Sequence, residues 1–255
     1  GLVTGVKAGT VTILYTTSND ASGCTYSIST TVTVNALPVV AAIGGLSDVC
    51  VNSTIPLTDG TPGGAWSTGD GTIATVDGSG NVTGVANGTV TISYSVTNGN
   101  GCTTIVNKII NVHALPVVPA ITGTFSVCVN STTNLSDATT GGVWSSGNTS
   151  IATVNATTGV VTGIAAGTAT ISYKVTNANG CVTTVTQDVT VNALPVPTLS
   201  GPNPICLGST NNLYTTESGE QNYVWNIVNG TVTAGGTGTD NTVTISWLNP
   251  GPKSI

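Results

Sequence analysis

Six cysteines are the residues of this chain whose type and spacing could do chemistry. Cys50 and Cys102 are 52 residues apart, and Cys128 and Cys181 are 53 residues apart. Thiols either bind a metal such as zinc or form disulfides. Structural zinc sites use Cys-x-x-Cys pairs or several histidines, whereas this chain has no such pair and one histidine. The cysteines therefore predict disulfides and an oxidising, extracellular environment.

The remaining reactive side chains predict no catalysis. A Ser-His-Asp or Cys-His system needs a histidine, and His113 takes a position where the repeats described below carry asparagine. Most acidic residues stand singly in turn-like segments, and the one close acidic pair, Glu217 and Glu220, lies in a Ser-Gly segment. We therefore expect that the chain is not an enzyme and that it binds no cofactor.

Calcium is the one metal that the sequence leaves open. Asp77, Ser79 and Asn81 offer alternating oxygens like the start of a calcium-binding loop, but the later bidentate acid is missing. The equivalent repeat segment begins with Asn155 and has lost the carboxylate. A hairpin turn is the preferred interpretation, with calcium kept as the alternative.

Charge and hydropathy exclude two further classes. The chain has four basic residues, ten acidic residues and a net charge of −6, so it lacks the basic face that nucleic-acid binding requires. No apolar run approaches the roughly 20 residues that cross a bilayer as a helix. With 39% hydrophobic residues, the chain can nevertheless build folded cores. We expect no nucleic acid partner and no membrane span in this segment.

The organisation of the chain appears when it is aligned with itself. The tetrapeptide Ala-Leu-Pro-Val begins at residues 36, 114 and 193, and the two units between these points are identical at more than half of their aligned positions. Residues 1–35 match only the last part of a unit, and the last segment stops before an expected closing strand, so both ends of the chain look like cuts in a longer array. The predicted domains are a partial repeat at 1–35, whole repeats at 36–113 and 114–192, and an incomplete module at 193–255.

Each whole unit is predicted to be a small two-sheet sandwich. β-Branched residues alternate with polar ones at a period of two, which is typical of half-buried strands. Glycine- and asparagine-rich turns separate these runs, and no window has helical periodicity. In the unit 36–113 we expect strands at Val39–Ile43, Ser53–Leu57, Gly64–Ser67, Ile73–Val76, Asn81–Val85, Thr89–Thr97 and Cys102–Val112. The predicted fold class is all-β, as tandem two-sheet sandwiches arranged in a rod, which the resemblance described next implies to be immunoglobulin-like.

Several motifs resemble known families. Trp66-Ser67-Thr68-Gly69, Ile73-Ala74-Thr75-Val76-Asp77, Val82-Thr83-Gly84-Val85 and Gly88-Thr89-Val90-Thr91-Ile92 resemble the group 2 bacterial immunoglobulin-like domain, and Trp144 through Ile171 repeats them. Tyr223-Val224-Trp225 and Val243-Thr244-Ile245-Ser246-Trp247 are similar to the PKD-like domains that follow such repeats in long surface proteins of the Bacteroidetes. This resemblance implies cell-surface localisation, secretion through the type IX system, and a role in adhesion or gliding.

The repeat positions predict how the cysteines pair. Disulfides are expected within each unit, joining Cys50 to Cys102 and Cys128 to Cys181. Cys24 aligns with Cys102, and Cys206 aligns with Cys50, so their partners are expected before Gly1 and after Ile255. A bond between Cys24 and Cys50 across a linker is the alternative, but it breaks the repeat pattern.

The aromatic residues and linkers complete the predicted architecture. Trp66, Trp144 and Trp225 are expected in the cores, as in other immunoglobulin-like domains, with carbohydrate stacking as the alternative. Because proline fixes its own φ and restricts the preceding residue, the linkers are predicted to be short and stiff. Their leucines either wedge between domains or simply continue a strand edge. The linker residues are Leu37, Pro38, Leu115, Pro116, Leu194 and Pro195.

Together these features predict a stalk and spacer segment of a long extracellular filament or adhesin, whose immediate partners are neighbouring repeats. Two other hypotheses remain open. In the first, the modules themselves or distal domains bind polysaccharide or other surface ligands. In the second, the modules are accessory parts of a larger secreted enzyme.

Overall fold

The computed structural model describes residues 2–18, 21, 23–248 and 251–252. The chain is all-β, and no helix occurs among these residues. The strands are β1 (Gly9–Ser18), β2 (Thr25–Val34), β3 (Gly44–Gly45), β4 (Asp48–Cys50), β5 (Thr54–Thr58), β6 (Ala65–Thr68), β7 (Ala74–Val76), β8 (Asn81–Gly84), β9 (Gly88–Thr97), β10 (Thr103–His113), β11 (Thr122–Gly123), β12 (Ser126–Cys128), β13 (Thr132–Ser136), β14 (Val143–Ser146), β15 (Ala152–Val154), β16 (Val160–Gly163), β17 (Gly167–Thr176), β18 (Val182–Asn192), β19 (Ser209–Thr215), β20 (Thr231–Gly235) and β21 (Thr242–Trp247).

Strands β3–β10 form the first sandwich. One sheet has the order β4-β10-β9-β6 and the other β3-β5-β8-β7. Along β9, Val90, Ile92, Tyr94 and Val96 are buried while the intervening threonines and serines face outward. The period-two sequence pattern thus places one face of each long strand in the core, as antiparallel sheets with one solvated face require. Strand β4 is the exception to antiparallel pairing, since it runs parallel to the end of β10.

Strands β11–β18 form the second sandwich with the same topology. Its sheets have the orders β12-β18-β17-β14 and β11-β13-β16-β15. Here too the short strand, β12, is parallel to the end of the last strand, β18. The N-terminal hairpin β1–β2 reproduces only the two long strands of this plan: Gly9 pairs with Val34 just as Gly88 pairs with Val112.

Each sandwich core contains a tyrosine whose hydroxyl holds a loop. The Tyr94 hydroxyl donates to the carbonyl of Thr61 (2.7 Å) and accepts from the amide of Gly64 (2.9 Å). In the second sandwich, Tyr173 makes the equivalent bonds to Thr139 and Gly142. A Cβ on either glycine would lie 2.3 Å from the tyrosine ring. Glycine is therefore required where the loop crosses the ring.

The C-terminal segment has a smaller core. Strands β19-β21-β20 form one three-stranded sheet. Tyr214, Val243, Ile245 and Trp247 of this sheet form a buried cluster, and Trp225 is partly buried against it. The Trp225 indole donates to the carbonyl of Asp240 at 3.0 Å.

One strand prediction for the unit 36–113 is wrong, and the short strands β3 and β4 were not predicted. Residues 39–43 form no strand, and pairing in this unit begins at β3. The sequence also gave no signal for β4, because three residues are too few to show a period of two. The other expected strands are present, with each end shifted by at most one residue.

Candidate functional site: the joint between the two sandwiches

The joint between the sandwiches is built by a turn of the second sandwich that contacts the linker. Asn177, in the turn before β18, donates from Nδ2 to the carbonyl of Ala114 at 3.0 Å. Its Oδ1 accepts the amides of Asn179 and Cys181, each at 3.0 Å. Thr183 then donates from its hydroxyl to the carbonyl of Pro116 at 2.7 Å. The linker backbone is therefore attached to the second sandwich at two points.

A disulfide crosses the same joint. Cys50 of the first sandwich is bonded to Cys181 of the second, with 5.6 Å between their Cα atoms and 131 residues between them in sequence. The Cys181 sulfur also lies 3.9 Å from the carbonyl oxygen of His113, the last residue of β10. The two sandwiches are thus linked covalently at the linker and again by the disulfide.

This bond corrects the predicted pairings within units. Cys50 stands opposite His113 in the parallel register of β4 and β10, whereas Cys102 comes just before the first residue of β10. Eleven residues of extended strand place these two cysteines about 36 Å apart, far beyond the roughly 7 Å limit between bridged Cα atoms. Cys128 stands opposite Asn192 in the same way, so it cannot reach Cys181. Cys102 and Cys128 are not disulfide-bonded in the described chain.

The other two cysteines lie in positions related to these. Cys206 is exposed in the segment before β19 and has a free thiol. Cys24 comes just before β2, as Cys102 comes before β10, and is also exposed. The alternative bond between Cys24 and Cys50 is likewise not formed, because Cys50 is bonded to Cys181.

An ionisable pair lies beside the disulfide. His113 Nε2 is 2.7 Å from Asp48 Oδ1, and Asn111 Nδ2 donates to the same oxygen at 3.4 Å. These two hydrogen bonds, that of His113 foremost, hold the pKa of the Asp48 carboxyl below its ordinary value of 3.8. Asn179 of the second sandwich reaches the same cavity, which has a volume of about 210 Å³. His113, whose repeat position gave no indication of catalysis, is therefore part of the joint.

The tryptophans occupy positions in or beside the cores. Trp144 is 5% exposed, and its ring centroid lies 4.5 Å from that of Tyr173. Trp66 is half-buried against the first core, 4.6 Å from Tyr94. Each ring is therefore in contact with a tyrosine, and that of Trp144 has little surface left for stacking on a sugar.

Two of the three linker leucines are largely exposed. Leu37 is 65% exposed and Leu194 is 49% exposed, while Leu115 is half-buried. The prolines contribute through their backbones: the carbonyl of Pro38 accepts a hydrogen bond from Thr104 at 2.7 Å, as that of Pro116 does from Thr183. Pro195 is exposed. Asparagine and threonine side chains thus form hydrogen bonds to the backbones of the first two linkers.

The weak calcium candidates form a closed turn. Asp77 Oδ1 accepts the amides of Ser79 and Asn81 at 2.9 Å each, and Oδ2 accepts Nδ2 of Asn81 at 2.8 Å. These bonds, chiefly those from Asn81, lower the pKa of the Asp77 carboxyl. Among the described residues, no group of three His, Cys, Asp or Glu side chains is arranged to hold a metal ion.

A shallow cleft opens in the C-terminal segment. It has a volume of about 380 Å³ and is lined in part by Pro197, Leu199, Tyr223 and Trp225. The acidic pair considered for catalysis is close to it, but Glu217 is hydrogen-bonded to Thr198 and Thr216.

Comparison with known proteins agrees with the fold. Residues 28–106 match the model of the bacterial Ig-like domain (group 2), a stretch that covers β3–β9 and parts of β2 and β10. A search of curated proteins returns no match. No helix among the described residues is long and apolar enough to span a bilayer.

Several solved structures are similar at low sequence identity. Domains 4 and 5 of the S-layer protein SbsC are 19% identical with a TM-score of 0.27, over 61% of this chain and 99% of that one. A C-terminal intimin fragment, solved with the intimin-binding domain of its receptor, is 18% identical with a TM-score of 0.36, over 67% and 69%. Murine CEACAM1b is 15% identical with a TM-score of 0.28, over 60% and 99%.

Proposed function

We propose that this chain is a structural stalk segment of an extracellular filament or adhesin, in which tandem sandwiches act as load-bearing spacers. The disulfide between Cys50 and Cys181 is the observation that carries the proposal. A bond of this kind persists in oxidising environments outside the cytosol. Because it joins two modules rather than closing one, it stabilises their relative position as well as their folds.

The bond also changes how the chain responds to tension. A load applied along the chain passes from Cys50 directly to Cys181, so residues 51–180 cannot be extended even after they unfold. The hydrogen bonds from Asn177 and Thr183 to the linker restrict bending while the sandwiches remain folded. Both features suit a spacer that must keep its length.

Force spectroscopy of the full chain tests this proposal. The oxidised chain should show a final contour length about 450 Å shorter than that of the Cys50→Ser variant, since some 130 residues at about 3.5 Å each stay behind the bond. Cys128→Ser, at the equivalent position of the second sandwich, is the matched control and should extend like the unaltered chain. Equal contour lengths for the oxidised chain and Cys50→Ser would contradict the proposal.

Binding of polysaccharide is the second candidate function. The positions of Trp66 and Trp144 against tyrosine rings weaken it, and the cleft beside Tyr223 and Trp225 favours it. Glycan-array binding by the full chain that is lost in Leu199→Asp, a change in the cleft lining, would support this candidate. Adhesion or gliding as the purpose of the filament, secretion by the type IX system and the PKD-like nature of residues 193–255 rest on sequence resemblance.

A further inference from the structure

The surroundings of Cys102 reproduce those of Cys181, the residue that forms the disulfide between the sandwiches. We infer that Cys102 is the receiving half of a second joint disulfide, whose partner is the Cys50-type cysteine of an immunoglobulin-like module packed against the N-terminal side of the first sandwich. This inference concerns the chemistry of the joint and stands or falls separately from the stalk function.

The turn before each of these cysteines has the same hydrogen bonds. Asn98 Oδ1 accepts the amides of Asn100 and Cys102, each at 3.1 Å, as Asn177 Oδ1 accepts those of Asn179 and Cys181. Gly101 and Gly180 both adopt a φ of 79° and close the two turns alike. The backbone that presents Cys102 is therefore already in the bonded conformation of the second sandwich.

The linker in front of the first sandwich is also held in the same way. Asn98 Nδ2 donates to the carbonyl of Ala36 at 2.9 Å, matching the bond from Asn177 to Ala114. Thr104 donates to the carbonyl of Pro38 at 2.7 Å, matching the bond from Thr183 to Pro116. Both joints thus share three kinds of contact, and the disulfide is formed at the second.

The hairpin β1–β2 provides the place for the missing partner. In each sandwich a three-residue strand, β4 or β12, pairs parallel with the end of the last long strand and ends in cysteine. Strand β2 corresponds to that last strand, and among the described residues it pairs only with β1. A strand of the type Asp48-Val49-Cys50 added to the free edge of β2 would place its cysteine opposite Asn35, the counterpart of His113.

The bond would form by thiol–disulfide exchange. The Cys102 thiolate and the partner thiolate together reduce one disulfide of an external oxidant, such as oxidised glutathione. One S–S bond forms between the two cysteines, and two glutathione thiols are released with the two protons. Cys102 is partly exposed, so the oxidant can reach it.

An extended chain tests the inference directly. Gly1 aligns with Gly80 of the first repeat, so residues 36–79 placed immediately before Gly1 complete a module that carries a copy of Cys50. After refolding in a glutathione redox buffer, we expect peptide mass mapping to show Cys102 bonded to that copy. Alkylation of Cys102 by iodoacetamide should then be lost, while Cys128 should be alkylated in both the original and the extended chains.

Two further chains make the result decisive. An extended chain with serine in place of the added cysteine should restore alkylation of Cys102. A second extension, residues 114–158 placed before Gly1, supplies a copy of Cys128 and should bond to Cys102 in the same way. If Cys102 stays reactive in both cysteine-bearing extended chains while Cys50 and Cys181 are bonded, the inference is wrong.

Discussion

The two sandwiches close the same turns with different side chains. In the first, Asp70 Oδ1 accepts the amide of Thr72 at 2.8 Å and its hydroxyl at 2.6 Å. In the second, Asn148 Oδ1 accepts the amide and hydroxyl of Ser150 at 3.1 and 2.6 Å. The turn requires an acceptor oxygen at this position, and a carboxylate or an amide can supply it.

The same substitution of a neutral group for a charged one occurs at two further positions. Asp77 in the first sandwich corresponds to Asn155 in the second, which accepts the amides of Thr157 and Thr158 at 3.0 Å each. Beside the last strand, the pair of Asp48 with His113 is replaced by a hydrogen bond from Asn192 to the Ser126 hydroxyl at 2.7 Å. Geometry is kept between the copies while charge varies, so the two sandwiches should differ in their response to pH.

The largest expected difference between the copies concerns equivalent cysteines. Cys50→Ser removes the joint disulfide, whereas Cys128→Ser removes a thiol that has no such bond. When the first sandwich unfolds and the second stays folded, the disulfide restrains the unfolded segment of some 60 residues between Cys50 and the linker. In the chain-entropy model this restraint stabilises the first sandwich by about 4 kcal/mol. Urea denaturation of both variants should show this loss only for Cys50→Ser. An equal loss in the two variants would mean that the bond does not stabilise the first sandwich.

The next effect should be the same in both copies. Gly64→Ala and Gly142→Ala each place a Cβ 2.3 Å from a tyrosine ring whose hydroxyl is held by the loop, and overpacking of this kind costs about 3 kcal/mol. Gly78→Ala, where a Cβ meets nothing within 4 Å, is the control and should change stability by less than about 0.5 kcal/mol. These values follow from the urea midpoints of the three variants. A mild effect at only one of the two tyrosines would show that the cores are less alike than their geometry indicates.

These comparisons also explain which features the sequence could predict. The long strands β9 and β10 could be predicted because apolar and polar residues alternate clearly over ten or more positions. The turn at Asp77 could be predicted from its Asp-Gly-Ser-Gly sequence. Strand β4 could not be predicted, because three residues are too few to show a period-two alternation. That omission led to the wrong disulfides: a repeat alignment shows which cysteines are equivalent, but only the parallel pairing of β4 with β10 shows that Cys50 lies at the far end from Cys102.

The joint contacts were hidden for a related reason. Asn98 and Thr104 belong to a turn and a strand whose sequences are explained by local structure alone, so nothing in their spacing points to the linker carbonyls that they bind. The sequence instead drew attention to Leu37 and its equivalents, for which it left open a wedge between domains or a continued strand edge. Contacts between modules depend on how the modules are oriented, which periodicity within a module does not determine.

Acid should affect the first sandwich more than the second. Hydrogen bonds, mainly from His113, Thr72 and Asn81, lower the pKa values of Asp48, Asp70 and Asp77 from 3.8. A carboxyl whose pKa is lower in the folded than in the unfolded state stabilises the fold at any pH above its unfolded pKa. This stabilisation is lost as the pH falls below 3.8 and passes through the pKa of the folded state. Hydrogen exchange measured by mass spectrometry, at matched pH above and below 3.8, should show β9 losing protection before β17.

A variant that carries the side chains of the second sandwich provides the control. Asp48→Ser, His113→Asn, Asp70→Asn and Asp77→Asn together install the neutral groups found at the equivalent positions. In this chain the difference in acid sensitivity between β9 and β17 should disappear. If β9 still loses protection before β17, the three carboxylates are not the cause of its greater acid sensitivity.

The smallest expected effect concerns the outer faces of the last strands. Ile105 and Ile109 are 58% and 60% exposed on β10, where the second sandwich has Thr184 and Asp188. Isolated exposed apolar residues are common on protein surfaces, and a surface that serves only as a spacer does not need them. The double variant Ile105→Thr and Ile109→Asp should therefore change the free energy of unfolding by no more than about 0.5 kcal/mol and leave the contour length in force spectroscopy unchanged. If it instead abolished binding of the full chain to a glycan array, the first sandwich would carry a ligand surface that its otherwise similar neighbour lacks.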